Sequence, residues 1–392
     1  MQAEDYTFLM PTKVESGVNS SVRTGELIQP LVQNKVLVVT DKGIRAAKLI
    51  DGILRSLDKQ GIKYDIFDEV EPNPSAETIH QGLDVLRETH SDAVLAVGGG
   101  SSIDTAKGIA VMATNEGHIL DYEGVGKVQH QPLPIIAVPT TAGTGSEVTA
   151  STIITNKKTL FKAAIISPHI FPKLAILDPV LTLSCPRDIT AATGMDALTH
   201  AIESYTSKTA TPVSEALALQ AMKLISQSLL KAYFVGTDIH SRNTMLTASM
   251  LAGFAFSQAR VVNVHAISHS FGGAFKSPHV IANATVLPFV LKFNLPACPE
   301  KMKDIAEALG QDVSGLTAME AGEKALQAVI DMNKALNIPD NIKDLGVKLE
   351  RMPQLVEDSM RSGNVLVNPR LTTADDIQTI IENAYYGRLT SR

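Results

Sequence analysis

The stretch AVLAVGGGSSIDTAKGIAVM, residues 93–112, holds the pattern that decides the fold. Residues 93–97 are a continuous apolar run, which is typical of a β-strand buried on both faces. Three glycines follow at once, and residues 105–112 have the spacing of a helix. Strand, glycine turn and helix together can cradle a phosphate, because glycines let backbone N–H groups approach an anion at a helix N-terminus.

The glycine turn has two interpretations. Its Gly98-Gly99-Gly100 spacing matches neither GxGxxG nor a P-loop, and a plain tight turn needs glycine as well. A second stretch, PTTAGTGSEVT at 139–149, offers many short hydroxyl donors for a pyrophosphate or ribose. An ordinary loop has the same composition, so both stretches remain open between a ligand site and a simple connection.

Strand and helix alternate on both sides of the opening stretch. After a loop-like or extended segment at 1–34, the pattern predicts strands at 35–40, 62–67, 135–138, 153–155, 163–166 and 174–177, and helices at 44–60 and from Ser75, a capping residue, to about 88. Such alternation predicts a mainly parallel sheet with helices on both faces. Any ligand should then bind at the carboxyl ends of the strands.

After Cys185-Pro186 the pattern becomes helical throughout. The predicted helices are 187–193, 195–207, 213–234, 240–259, 262–273, 280–294, 299–309, 315–336, 341–347, 351–360 and 373–386. We therefore expect an α/β domain at 1–185 and an all-α domain at 186–392.

Composition narrows the class of protein. The 392 residues are 44% hydrophobic, and their net charge of −6 is spread along the chain without a basic run. A polyanion partner such as nucleic acid therefore has no electrostatic support. The two cysteines, Cys185 and Cys298, form no CxxC motif, and we find neither a signal peptide nor an uninterrupted apolar run of spanning length. We expect a cytoplasmic protein that contacts no membrane.

Asp41 is a candidate for recognition of a ribose. It follows the apolar run 35–40, at the predicted carboxyl edge of the sheet, where Asn73 and residues 98–104 also fall. A carboxylate there would bind ribose hydroxyls and repel a 2′-phosphate, which favours NAD over NADP. The alternative is that Asp41 is an ordinary turn acid.

Residues 194–279 hold a possible metal site. Asp196 and His200 are four residues apart and share a face of the predicted helix, while His265, His269 and His279 follow later. One carboxylate and two or three imidazoles without a thiolate suit Fe(II), Zn(II), Co(II) or Mn(II). Each part of this set also has a simpler interpretation when it is taken alone. The Asp–His pair could be a solvated helix face, and the later histidines could be hydrogen-bonded core residues.

At this point four motifs establish a resemblance. They are VGGGSSID at 97–104, PTTAGTGSEVT at 139–149, GMDALTHAIE at 194–203, and the spacing of His265, His269 and Pro278-His279. Together they resemble the iron-containing (group III) alcohol dehydrogenases of the lactaldehyde reductase and 1,3-propanediol dehydrogenase kind, over nearly the whole length. The resemblance implies a Rossmann-like dinucleotide-binding domain followed by an all-helical domain, with a metal in the cleft between them.

The resemblance also implies roles for individual residues. The metal ligands would be Asp196, His200, His265 and His279, and His269 would relay a proton. Ser151 and Phe256 would face the substrate. The dinucleotide contacts would be Asp41, Asn73, Gly99, Gly100, Ser101, Thr140, Thr141, Thr149, Lys162 and Leu181. Two segments depart from the family pattern, Ser270-Phe271-Gly272 in place of Pro-Leu-Gly and Val280 in place of the glycine after the last ligand.

The implied activity is metal-dependent hydride transfer between NAD(H) and a small primary alcohol or aldehyde of the lactaldehyde, propanediol or short-chain alcohol type. The implied metal is Fe²⁺, with Zn²⁺ or another divalent ion as the alternative, and the implied assembly is a homodimer or higher homo-oligomer. Three alternatives stay open. They are reduction of a charged aldehyde such as sulfo- or phosphonoacetaldehyde, with Lys13, Arg23 or Lys276 for the anion; chemistry like that of dehydroquinate synthase or glycerol-1-phosphate dehydrogenase on the same scaffold; and a non-catalytic oligomer or filament component.

Overall fold

The chain divides into two compact units. The structure, a computed structural model, describes residues 5–159, 161–274 and 279–389, with side chains described outside 272–279. The α/β unit comprises Pro11–Cys185 and Thr237–Leu246, and the helical unit comprises Met1–Met10, Pro186–Gly236 and Thr247–Arg392. Residues 1–10 and 237–246 thus fall outside the unit that the predicted domains, 1–185 and 186–392, would give them. That assignment of domains stays a prediction.

The α/β unit is built on a sheet of six parallel strands in the order β1-β9-β6-β4-β2-β3. The strands in the described residues are β1 Lys13–Ser16, β2 Lys35–Val39, β3 Lys63–Phe67, β4 Ala93–Gly98, β5 Gly124–Val125, β6 Ile135–Pro139, β7 Ser151–Asn156, β8 Phe161–Ile166 and β9 Leu174–Leu177. The apolar residues of β2 and β4 are fully buried, because helices cover both faces of the sheet. The predicted parallel sheet is confirmed.

A smaller sheet has the order β5-β8-β7, with β7 antiparallel to β8. It contains the predicted strands at 153–155 and 163–166, which therefore lie outside the main sheet. The segment 1–34 is also more ordered than we predicted. It contributes strand β1 at the edge of the main sheet and helix α1, Thr24–Ile28.

The other helices of the α/β unit are α2 Lys42–Ala46, α3 Asp51–Lys59, α4 Ala76–Thr89 and α5 Gly100–Met112. The prediction of one helix at 44–60 is wrong, since Lys48 adopts a left-handed φ of 58° that ends the first helix. Ser75 caps α4 as predicted, because its side chain accepts a hydrogen bond of 3.2 Å from the Thr78 N–H.

The remaining helices form the helical unit, apart from the first residues of α8. They are α6 Arg187–Thr206, α7 Pro212–Phe234, α8 Ile239–Ala259, α9 Asn263–Ala274, α10 His279–Asn294, α11 Pro299–Ala308, α12 Ala318–Ala335, α13 Met352–Arg361 and α14 Ala374–Tyr386. The two helices predicted at 187–193 and 195–207 are one, α6, which runs through Gly194. The helix predicted at 341–347 is wrong, since turns occupy that segment.

Gly194 belongs to the packing of α6 rather than to its end. A Cβ atom at this position would lie 2.2 Å from Leu229 Cδ1 of α7. Glycine leaves room for the Leu229 side chain at this helix contact, which gives a packing reason for a residue that usually ends helices to stand in the middle of one.

Among the described residues, one apolar segment has the length and composition of a membrane span. The segment Val280–Ala297 has the length and hydropathy for this, but 67% of it is buried inside the protein. Burial of this extent is typical of a core helix, and α10 accordingly packs against α6 and α12.

Candidate active site

Helix α6 carries a line of buried polar side chains. Asp196, His200 and Glu203 follow one another at spacings of four and three residues, so they share one face of the helix. Their exposed fractions are 0%, 6% and 1%. The rest of the helix from Thr190 to Thr206 is buried as well, so these groups have little access to water.

Three of the four predicted metal ligands meet in space. Asp196, His200 and His265 of α9 each offer a ligand atom, and these atoms all lie within 4.8 Å of one another. The rings of His200 and His265 stack with centroids 4.6 Å apart. The fourth predicted ligand, His279, begins α10, but its side chain lies outside the described residues, so its role stays a prediction.

A carboxylate and an amide orient these groups. Glu203 accepts hydrogen bonds from Nδ1 of His265, at 2.5 Å, and from the Val264 N–H, at 2.6 Å. With Nδ1 bound to a carboxylate, Nε2 of His265 presents its lone pair, which is the arrangement found for metal-ligating histidines. Nδ2 of Asn283 lies 2.7 Å from Asp196 Oδ1 and 3.0 Å from this Nε2.

Burial shifts the protonation of the cluster. It raises the pKa of Glu203 to about 8 and lowers the pKa of His265 to about 3, the latter with help from His200. His265 is therefore neutral, the form that binds metal. Asp196 Oδ2 is buried and makes no hydrogen bond with the side chains that the structure describes.

Such a set of donors fits a divalent cation. Buried imidazoles and a buried carboxylate oxygen that has no donor among the described residues are costly to keep away from water, and a cation bound among them would compensate this cost. The residues present thus suit an Fe(II)- or Zn(II)-type ion by their chemistry as well as by their proximity.

Two further predicted residues adjoin the cluster. His269 lies one turn after His265 on α9, half-buried, and the two rings meet edge to face with centroids 5.6 Å apart. Phe256 of α8 stacks on His200 at 4.3 Å. The structure thus brings His269 and Phe256 to the predicted ligands within the helical unit, whereas Ser151 belongs to β7 of the α/β unit.

The turn between β4 and α5 is built for close approach. Gly98 has φ +156°, and a Cβ there would lie 2.3 Å from Ser102 Oγ. A Cβ on Gly100 would lie 2.7 Å from Thr144 Cγ2. Glycine is therefore required at both positions, and the backbone N–H groups at the start of α5 suit an anion such as pyrophosphate.

Asp41 lies where the topology favours a ligand. From β2 the chain passes to β3 on one side and then returns to β4 on the other, which makes the gap between β2 and β4 a topological switch point. Asp41 follows β2, is half-buried, and caps α2 by accepting a hydrogen bond of 2.9 Å from the Ile44 N–H. The turn-acid interpretation is thus also satisfied, and the two roles are compatible.

The remaining predicted cofactor residues all belong to the α/β unit. Ser101 Oγ donates to the Pro72 carbonyl at 2.6 Å, and Lys162 Nζ donates to Asn73 Oδ1 at 3.1 Å. The other predicted residues lie close to the ends of strands or helices. They are Gly99 at the start of α5, Thr140 and Thr141 after β6, Thr149 before β7, and Leu181 after β9. Their contact with a dinucleotide remains a prediction.

Three residues of this region escaped the sequence analysis. Glu203 could have been found, since it stands three residues after His200 on the same helix. Asn283 follows His279 by four residues, which is a weaker signal of the same kind. Lys107 of α5 gave no signal, because a lysine in a helix is usually solvated.

Known proteins resemble this chain over nearly its full length. The model described as "Iron-containing alcohol dehydrogenase" matches residues 11–179, and the one described as "Fe-containing alcohol dehydrogenase family, C-terminal" matches residues 190–385. The 1,3-propanediol dehydrogenase of Citrobacter freundii is 43% identical over 97% of this chain and 99% of its own. The NAD-dependent methanol dehydrogenase of Bacillus methanolicus is 40% identical over 96% and 99%.

A solved structure agrees with these matches. The crystal structure of a 1,3-propanediol oxidoreductase superimposes with a TM-score of 0.95 at 42% identity, covering 97% of this chain and 100% of the other. Sequence family, full-length relatives and fold converge, so the chain belongs to the iron-containing alcohol dehydrogenase family and is an oxidoreductase of alcohols and aldehydes.

Proposed function

We propose that this enzyme transfers hydride between NAD(H) and a small primary alcohol or the corresponding aldehyde, with the help of a divalent metal ion, Fe²⁺ in the first place. Asp196, His200, His265 and His279 would hold the ion. The observation that supports the proposal most is that the first three residues are buried and that their ligand atoms all lie within 4.8 Å of one another.

The bound groups supply the reactive chemistry: the cation acts as a Lewis acid toward the substrate oxygen, and the nicotinamide gives or takes the hydride. The residues of the chain prepare this chemistry. Glu203 fixes the orientation of His265 through the bond to Nδ1, and Phe256 fixes the ring of His200 by stacking. His269, half-buried beside His265, is placed to pass the alcohol proton toward solvent.

The α/β unit would bind the dinucleotide. The pyrophosphate is assigned to the turn at Gly99, Gly100 and Ser101, and the ribose to Asp41, whose carboxylate favours NAD over NADP. The crowded glycines of the turn and the position of Asp41 at the switch point support this assignment.

A small uncharged alcohol is the preferred substrate. The two relatives described above are named for propanediol and methanol. Of the basic residues considered for a charged aldehyde, Lys13 and Arg23 both pair with Glu15, at 2.7 and 3.7 Å, and Lys276 lies outside the described residues. A homodimer or higher homo-oligomer in the cytoplasm remains our expectation for the assembly and its location.

The decisive experiment is a panel of short alcohols and aldehydes with NAD(H), run on protein loaded with Fe(II) without oxygen. We expect NADH to form from small primary alcohols and the activity to disappear when the metal is removed, because the described residues of the cluster offer no other Lewis acid to the substrate oxygen. Full activity in metal-free protein would contradict the metal role. Turnover of a sulfonated aldehyde alone would contradict the substrate class.

A further inference from the structure

Lys107 is a fully buried lysine that has no role in the proposed reaction. It stands in the middle of α5, its exposed fraction is 0%, and it is among the largest fully buried side chains in the described residues. Its Nζ donates to the Thr149 carbonyl at 2.9 Å, to Thr149 Oγ1 at 3.1 Å and to the Ser151 carbonyl at 2.8 Å. An ammonium has three protons, so all are used on this one segment.

Two buried acids lie near enough to the ammonium to raise its pKa against the effect of burial. Asp104 and Glu147 are both buried, and each interacts electrostatically with Lys107. Burial raises the pKa of Asp104 to about 6 and that of Glu147 to about 7, and it lowers the pKa of Lys107 to about 8. Keeping charged groups away from water is costly, so stability alone is a weak reason for burying an ammonium near two acids.

Helix α5 holds the same segment at a second point. Asp104 Oδ2 accepts a hydrogen bond of 3.1 Å from the Ile153 N–H, and the Asp104 carbonyl accepts one of 2.8 Å from Thr152 Oγ1. Residues 149–153 are thus fixed to α5 by side chains one turn apart. The N-terminus of α5 follows the glycine turn that is assigned to the pyrophosphate.

We propose that Lys107 is a positioning residue of the NAD(H) site, which sets Thr149 and Ser151 at a fixed distance from the glycine turn at the start of α5. This inference rests on the proposed function, in which Thr149 contacts the cofactor and Ser151 faces the substrate. Lys107 itself contacts neither. Its three bonds act through the backbone of the segment, and the rigid helix carries the geometry from one end of the dinucleotide site to the other.

The test measures NADH binding to the full-length Lys107→Met variant by fluorescence titration. Methionine keeps most of the volume but leaves three acceptors without a donor. We expect the Kd for NADH to rise about tenfold, and the KM for the alcohol to rise with it, while kcat falls less.

A matched control separates positioning from general loss of stability. Asn115 is also buried in the α/β unit, just beyond α5, and donates to the Val111 and His130 carbonyls at 3.0 and 3.1 Å. Asn115→Ala should lower the melting temperature without changing NADH affinity. Equal weakening of NADH binding by both variants at equal loss of stability would overturn the positioning role.

Two outcomes keep this inference distinct from the proposed function. A wild-type chain that binds no NADH would contradict the proposed function itself. A wild-type chain that binds NADH, with Lys107→Met binding it equally well, would overturn the inference alone. If the methionine variant does not fold, Lys107→Gln retains two donors, and hydrogen exchange on the wild type gives a second measurement. Saturating NADH should slow exchange over 149–153 as well as over 100–107, and slowing over 100–107 alone would overturn the inference.

Discussion

The two units each contain a buried polar cluster, and the clusters differ in where positive charge comes from. In the α/β unit, Asp104 and Glu147 interact electrostatically with the ammonium of Lys107, which is part of the chain. In the helical unit, the ion pairs described for Asp196 and Glu203 involve histidines only, and His265 is held neutral by burial.

A buried acid needs a cation, and the source of that cation distinguishes a structural cluster from a reactive one. The lysine cluster has a cation of its own in Lys107, although Asp104 Oδ1 and Glu147 Oε1 are buried without a hydrogen bond among the described residues, and we infer that its task is to hold a segment in place. The histidine cluster lacks a permanent positive charge of its own among the described residues, so it suits an ion from outside. The following predictions test this difference, from the largest expected effect to the smallest.

His265→Ala removes a predicted ligand and should have the largest effect. We expect the metal to be lost and turnover to fall on the order of 10³-fold or more, because the substrate oxygen loses its Lewis acid, while the fold persists. Metal analysis and steady-state kinetics measure both. The control is His240→Ala, an exposed helical histidine. A His265→Ala enzyme with normal metal content would contradict the claim that the histidine cluster binds a cation from outside the chain.

His269→Ala distinguishes a ligand from a neighbour within the same cluster. We expect turnover to fall about 100-fold with metal content unchanged, since only proton transfer is impaired. Added imidazole should restore part of the activity, and the pH dependence of kcat should change. Parallel loss of metal and turnover would instead assign His269 a structural role.

Glu203→Gln tests whether the buried carboxylate serves the metal through His265. Glutamine has nearly the same size but only one oxygen, so it cannot accept both the Val264 N–H bond and the His265 Nδ1 bond, and metal affinity should fall about 10- to 100-fold. Turnover should recover when the metal is in excess. Glu215→Gln is the control, since Glu215 pairs with Lys301 at 2.7 Å in a partly exposed position. Unchanged metal affinity in Glu203→Gln would mean that the hydrogen bond from His265 to Glu203 does not support metal binding.

Asp41→Ser concerns an acid outside both clusters and should have the smallest effect. Serine can still cap α2, but the negative charge disappears. We expect the preference for NADH over NADPH to fall about tenfold, which corresponds to removing roughly 1–2 kcal/mol of repulsion from a 2′-phosphate. Competition of NADPH with NADH measures it, and an unaltered ratio would leave Asp41 with capping alone.

Local sequence patterns predicted the helices and strands better than they predicted the contacts between them. The spacing of Asp196 and His200 is a helical signal, and the apolar runs at 35–40 and 93–97 are strand signals, so these were predictable. No local rule places His265 against them, because that contact depends on how α9 packs on the rest of the helical unit. The resemblance to a family supplied it instead.

The failures have physical causes of the same kind. Lys107 is in composition an ordinary helix residue, and only the path of 149–153 past α5 makes it a buried donor. The break at Lys48 and the continuity of α6 at Gly194 likewise depend on tertiary structure, which overrides local preference.

The contact between Gly194 and Leu229 ties the chemistry of α6 to an apolar side chain that touches no ligand. Because the Leu229 methyl group already occupies the space above Gly194, a larger residue at position 194 requires Leu229 to move or to be replaced by a smaller side chain. Among distant descendants of this chain, we therefore expect the two sites to change together. An engineer who wishes to shift Asp196 by a fraction of an ångström could begin with that pair and leave every polar group untouched.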